Sequence, residues 1–119
     1  MEKTLTIDGR QVRFKSSGAF LLRYKQQFGR DAFQDIFKLQ KAVRWDKHQK
    51  KNILANINAL DLEVFFNLAW TLAKTADPSI PPPMQWLDSF STFPLNDIMP
   101  ELMDLIQLSL GSTAELKNQ

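Results

Sequence analysis

The chain has no cysteine, one histidine and four glycines among 119 residues. Without cysteine there is neither a disulfide nor a thiolate metal site. With His48 alone there is no histidine pair of metal-binding spacing, and no Ser–His or Cys–His arrangement of the usual kind surrounds it. Neither a glycine-rich phosphate loop nor a nucleophile elbow occurs. No apolar run approaches the ~18 residues of a membrane span. The N-terminus lacks the charged-then-apolar pattern of a signal peptide, so the expected compartment is the cytoplasm. These absences argue against an enzyme, a metal protein or a cofactor carrier, and no catalytic, cofactor-binding or metal-ligating residue is nominated.

What is present is enough core for one domain, burying somewhat over ~60% of the unfolded surface at this length. The net charge of +2 hides an uneven distribution. Residues 1–51 hold thirteen Lys/Arg and five Asp/Glu, a balance of +8; residues 52–119 hold two Lys and eight Asp/Glu, a balance of −6. Neutralisation within the molecule is the cheapest explanation, head-to-tail association of copies the next, and nucleic acid the third.

The central pattern is Asp61–Lys74. Glu63, Asn67, Thr71 and Lys74 recur at steps of four, four and three, so they form one narrow polar stripe on a helix that is otherwise apolar. Such a helix must be covered on most sides. Asp61 suits its N-cap and Lys74 the negative end of its dipole. The N-terminus reads as a hairpin: Leu5 and Ile7 alternate with threonines, Asp8-Gly9 gives a two-residue turn, and Val12 and Phe14 alternate with Gln11, Arg13 and Lys15. That register places Leu5 across from Val12. Ser16-Ser17 then caps a helix that ends at Gly29, with Leu21, Tyr24 and Phe28 inward. Asp31 caps another, carrying Phe33, Ile36, Phe37, Gln40 and Val43 at helical spacing.

Lys41, Arg44, Lys47, Lys50 and Lys51 make a charge patch opposed only by Asp46, with Trp45 its single aromatic. It reads as a solvated face, since no recognisable reading helix accompanies it. Asn52–Leu60 is expected to be helical, with Ile53, Leu54 and Ile57 inward. Prolines 78, 81, 82 and 83 stop helix formation and make a stiff connector. A short helix follows over Met84–Phe90. The last helix is expected from about Asn96 to Leu110, closed by Gly111, with Pro100 in its first turn or at a kink. Its apolar surface exceeds one face, so the helix is either buried by wrapping or partly exposed as a patch for a partner; on the second reading Met99, Leu102, Met103, Ile106 and Leu110 are the candidate partner-binding residues, since methionine adapts to varied surfaces. Asp97, Glu101 and Asp104 on that helix read as solvated charge. The expected fold is α+β, predominantly α: an N-terminal hairpin and about five helices around the central one, as one domain over residues 1–111 with a polar tail over 112–119.

Three pieces in this order resemble the tail assembly chaperones of long-tailed bacteriophages and prophages. They are the hairpin with Leu22-Arg23-Tyr24 and Phe28-Gly29-Arg30-Asp31, then Asn67–Lys74, then Trp86–Phe90 followed by Ile98-Met99-Pro100-Glu101-Leu102. The resemblance covers roughly residues 4–110. It implies a largely helical, non-catalytic protein of the host cytoplasm that keeps the tape-measure protein soluble and helps recruit tail-tube subunits. It also implies a longer product made by ribosomal frameshifting near the end of the reading frame. Leu116-Lys117-Asn118 permits a slippery site if the leucine codon ends in A and AAA encodes Lys117. The alternative is a small helical interaction protein that binds nucleic acid through the Lys41–Lys51 region; neither a membrane nor nucleic acid is the expected partner.

Overall fold

A computed structural model describes residues 1–117. The fold is α+β and predominantly α, and it is built outward from the helix that the narrow polar stripe marks. That helix, α3 (Leu62–Ala76), has nine of its fifteen residues buried, so it is a core helix and not a surface one. Asp61 caps it, accepting from the Val64 amide at 3.2 Å. Thr71 is fully buried and donates to the carbonyl of Asn67 at 2.8 Å, which lets the polar stripe pass under cover. Lys74 reaches past the helix end and donates to the carbonyls of Pro78 and Ile80, while the indole N–H of Trp70 donates to that of Pro81. The proline connector is thus held by α3 through acceptors that proline still offers.

β1 (Glu2–Ile7) and β2 (Arg10–Lys15) form the expected antiparallel hairpin with Leu5 opposite Val12. Asp8 and Gly9 lie at φ 55° and 76°, the doubly left-handed turn whose twist suits a two-residue loop. Ile7, Val12 and Phe14 are buried against the helices, and the strand residues on the other face are exposed. α1 (Gly18–Phe28) is capped by Ser17 and closed by Gly29 at φ 69°; α2 (Ala32–Gln40) is capped by Asp31. Both pack on α3. The short α4 (Pro83–Asp88) brings Trp86 against Phe14, Phe90 and Phe93, and Phe93 in turn meets Phe65 of α3. One aromatic cluster therefore ties the first hairpin, the connector and the central helix together.

The region after α2 differs from the helical expectation. β3 (Val43–Asp46) and β4 (Lys51–Leu54) form a second antiparallel hairpin, followed by a single 3₁₀ turn at Ile57–Ala59. Tertiary bonding overrides the helical spacing here. The buried Ala42 offers its carbonyl to the amides of Ala55 and Asn56, which brings the chain back beside its own start. Asp46 shapes the loop: its carboxylate accepts from the Gln49 amide and its carbonyl from that of Lys50, which sits at φ 55°. Val43 belongs to this strand, not to α2. Ile57, expected inward, is 63% exposed.

α5 (Leu95–Lys117) continues through Gly111, the residue expected to close it, and into the stretch expected as a polar tail; Asn118 and Gln119, and with them the end of the frameshift motif, lie outside the described residues. The carbonyl of Pro94 accepts from the amides of Asp97 and Ile98 at its start. Pro100 lies in the second turn, so the carbonyl of Asn96 loses its helical donor; Asn96 is exposed, and water can serve it. Among the described residues no helix is long and apolar enough to cross a membrane.

Candidate docking surface

Four of the five residues nominated on the last helix are core. Met99, Leu102, Met103 and Ile106 are at most 2% exposed, so they offer no surface to a partner. The cause is the second hairpin. β4 lies on α5, and the buried Asn52 donates to Gln107 at 3.0 Å across the seam. The first hairpin covers the helix nearer its start, where Lys3 lies 2.9 Å from Glu101 and 3.5 Å from Asp104. Partial burial lowers the Lys3 pKa, but the hydrogen bond to Glu101 and the two negative charges outweigh it, and the net shift is upward. Leu110, half-buried, remains at the margin of an open cleft.

Of the large apolar side chains left exposed among the described residues, Leu22, Phe33 and Phe37 lie on the adjacent helices α1 and α2, while Met1, Trp45, Ile57, Leu62, Met84 and Leu108 are spread over other elements. The sequence places Phe33 and Phe37 on the same inward face as Ile36. In the structure α2 buries Ala32, Asp35, Ile36 and Leu39, and leaves Phe33 46% and Phe37 60% exposed. A carboxylate sets this rotation. Asp35 accepts from the hydroxyl of Tyr24 at 2.7 Å and from Arg30 through two bonds of 2.7 Å each. Arg30 holds the carboxyl below its ordinary pKa, against the burial that pushes it up, and Tyr24 adds to the lowering. Burial, then the bond to Asp35, raises the Tyr24 phenol. A charged residue fully paired in this way takes the inner face, and two phenylalanines take the outer one. Leu22 of α1, 59% exposed, adds to them.

Two clefts accompany this face. One, of about 370 Å³, lies between α1 and α2 and is lined by Leu21, Leu22, Lys25, Asp31, Ala32 and Phe33. The other, of about 400 Å³, shares Gly18 and Leu21 with it and continues to Met1, Leu108 and Leu110. Their walls are mainly apolar, and Asp31 is committed to capping the amide of Phe33.

The charge patch is brought together around the second hairpin. Lys41 follows α2, Arg44 and Lys51 stand on the strands, Lys47 and Lys50 lie in the loop, and all five are exposed. Trp45 on the same hairpin is 55% exposed. Among the described residues no three His, Cys, Asp or Glu are grouped so as to hold a metal. Comparison with protein-family models, with curated proteins and with solved structures returned no match.

The i, i+4 pair Phe33 and Phe37 was visible in the sequence as a stripe. The clue to its direction was Asp35, whose placement needs Tyr24 and Arg30, partners that helical periodicity alone does not bring to it.

Proposed function

We propose that this chain is a non-catalytic assembly chaperone of the phage-tail type, binding a long helical client such as the tape-measure protein and helping to deliver tail-tube subunits to it. The observation that carries the reading is the exposed face of Leu22, Phe33 and Phe37 beside two adjoining clefts on an otherwise well-buried core. Contiguous apolar surface of this kind costs solubility and marks an interaction site. A holdase needs such a surface, and it needs the contact to be reversible, which suits a small face better than a deep pocket. The ordered resemblance over residues 4–110 supplies the client's identity.

The test is co-expression with a tape-measure protein from a long-tailed phage. The wild-type chain should keep the client in the soluble fraction and co-purify with it. A Phe33→Glu, Phe37→Glu variant should lose both properties while melting within ~0.5 kcal/mol of wild type, as exposed substitutions generally do. A client equally soluble with the wild type and with the variant would remove this surface from the account. A client insoluble with both would remove the chaperone reading.

A further inference from the structure

We infer that the α1–α2 face takes an acidic amphipathic helix: a segment with apolar residues at i, i+4 spacing flanked by Asp or Glu. The inference deepens the chaperone reading and rests on it for the assumption that this face is a docking surface.

Shape and charge carry it independently. Phe33 and Phe37 are one helical turn apart, so their rings form a short ridge, and Leu22 stands on the neighbouring helix. A cleft of about 370 Å³ lies between those helices. A partner helix laid along α2 seats its own i, i+4 side chains beside such a ridge, the usual geometry of a helix in a groove. The rim is cationic. Lys25 lines the cleft one turn beyond Leu22, Lys38 follows Phe37, and Lys41 stands one turn beyond Phe37 on the same stripe. None of these three takes part in the ion pairs among the described residues, which use Lys3, Arg13 and Arg30 instead. Arg44 and Lys47 of the second hairpin follow directly in the chain, extending the positive field past the end of α2. Asp31, the one carboxylate in the cleft, is turned to the amide of Phe33. A neutral or basic helix would leave this rim unanswered. An acidic one gains the same apolar contact together with charge steering.

A single-stranded nucleic acid would also answer the cations, but it would use Trp45 and the hairpin, and it would leave Phe33, Phe37 and Leu22 uncovered. The apolar face favours the helix.

The experiment measures fluorescence anisotropy of labelled peptides of about 18 residues with the full chain, each peptide bearing leucines on one helical stripe. One peptide has glutamates elsewhere; a second has lysines in their place. The glutamate peptide should bind at least about tenfold more tightly at low salt, and the difference should shrink as salt screens it. Phe37→Ala should weaken binding about tenfold, the loss expected for one buried aromatic anchor. The triple variant Lys25→Glu, Lys38→Glu, Lys41→Glu should reverse the preference toward the lysine peptide, with an unchanged circular dichroism spectrum certifying the fold. Equal binding of the two peptides, or no binding of either, overturns the inference. So does displacement of the glutamate peptide by an oligothymidylate combined with indifference to Phe37→Ala, which would assign the face to nucleic acid. Peptide binding with a client that stays insoluble in co-expression keeps this inference and removes the chaperone reading; a client held soluble without charge preference does the reverse.

Discussion

Asp35 is the residue on which the position of the candidate surface turns. Its side chain is 2% exposed and satisfied by Tyr24 and by both prongs of Arg30. Replacing it with Ala strands the buried Tyr24 hydroxyl and should cost ~1–3 kcal/mol. The Arg30 share is discounted, because its side chain is 43% exposed and can turn to water. The pH dependence follows from the direction of the shift. A carboxyl held below its ordinary pKa contributes stability that is complete above the unfolded-state value and disappears as pH falls through the folded-state value. Asp35→Asn removes that contribution. In urea titrations the gap between wild type and Asp35→Asn should therefore be widest near neutrality and narrow below about pH 4. A gap that widened on acidification would contradict the assignment. The sequence could not disclose this arrangement, because an aspartate between apolar neighbours on a helix ordinarily faces water, and only tertiary partners reverse that.

At the scale of elements, the sequence was most legible where local signals and burial agree. The Asp8-Gly9 turn with alternation on both sides foretold the register of the first hairpin, Leu5 opposite Val12, though β1 begins earlier, at Glu2. Three N-caps, Ser17, Asp31 and Asp61, stand where expected, and the polar stripe of α3 identified the central helix. It was least legible over residues 41–60. The second hairpin has only four residues in each strand, little alternation, and a loop of Lys47-His48-Gln49-Lys50 with no glycine. Lys50 takes the left-handed conformation that glycine would adopt without penalty. Lys50→Gly should accordingly stabilise the hairpin by ~0.5–1 kcal/mol, measured as a higher urea midpoint with unchanged slope. A lower midpoint would mean the Lys50 side chain contributes more than its backbone costs. The second hairpin also decides what α5 can offer. With β4 laid over α5, Met99 and Met103 are core, and the exposed phenylalanines stand on α2.

Across the whole molecule, the opposed charges are only slightly reconciled internally. Lys3 with Glu101 and Asp104 is the contact that joins the basic and acidic halves among the ion pairs of the described residues; the others, Arg13–Glu2 and Arg30–Asp35, lie within the basic half. Of the other cations, Lys38, Lys41, Arg44, Lys47, Lys50 and Lys51 stand outward on the end of α2, the residue after it and the second hairpin. On the proposed reading, the apolar face on α1 and α2 with its positive rim is the side that meets a partner, and the core gathered on α3 stands behind it. Hydrogen exchange of the chain with and without a bound tape-measure protein tests this most directly. The account predicts added protection concentrated in residues 18–41, with the first hairpin and α4 unchanged. Protection confined to α5 or to the first hairpin, with residues 18–41 exchanging as in the free chain, would contradict it.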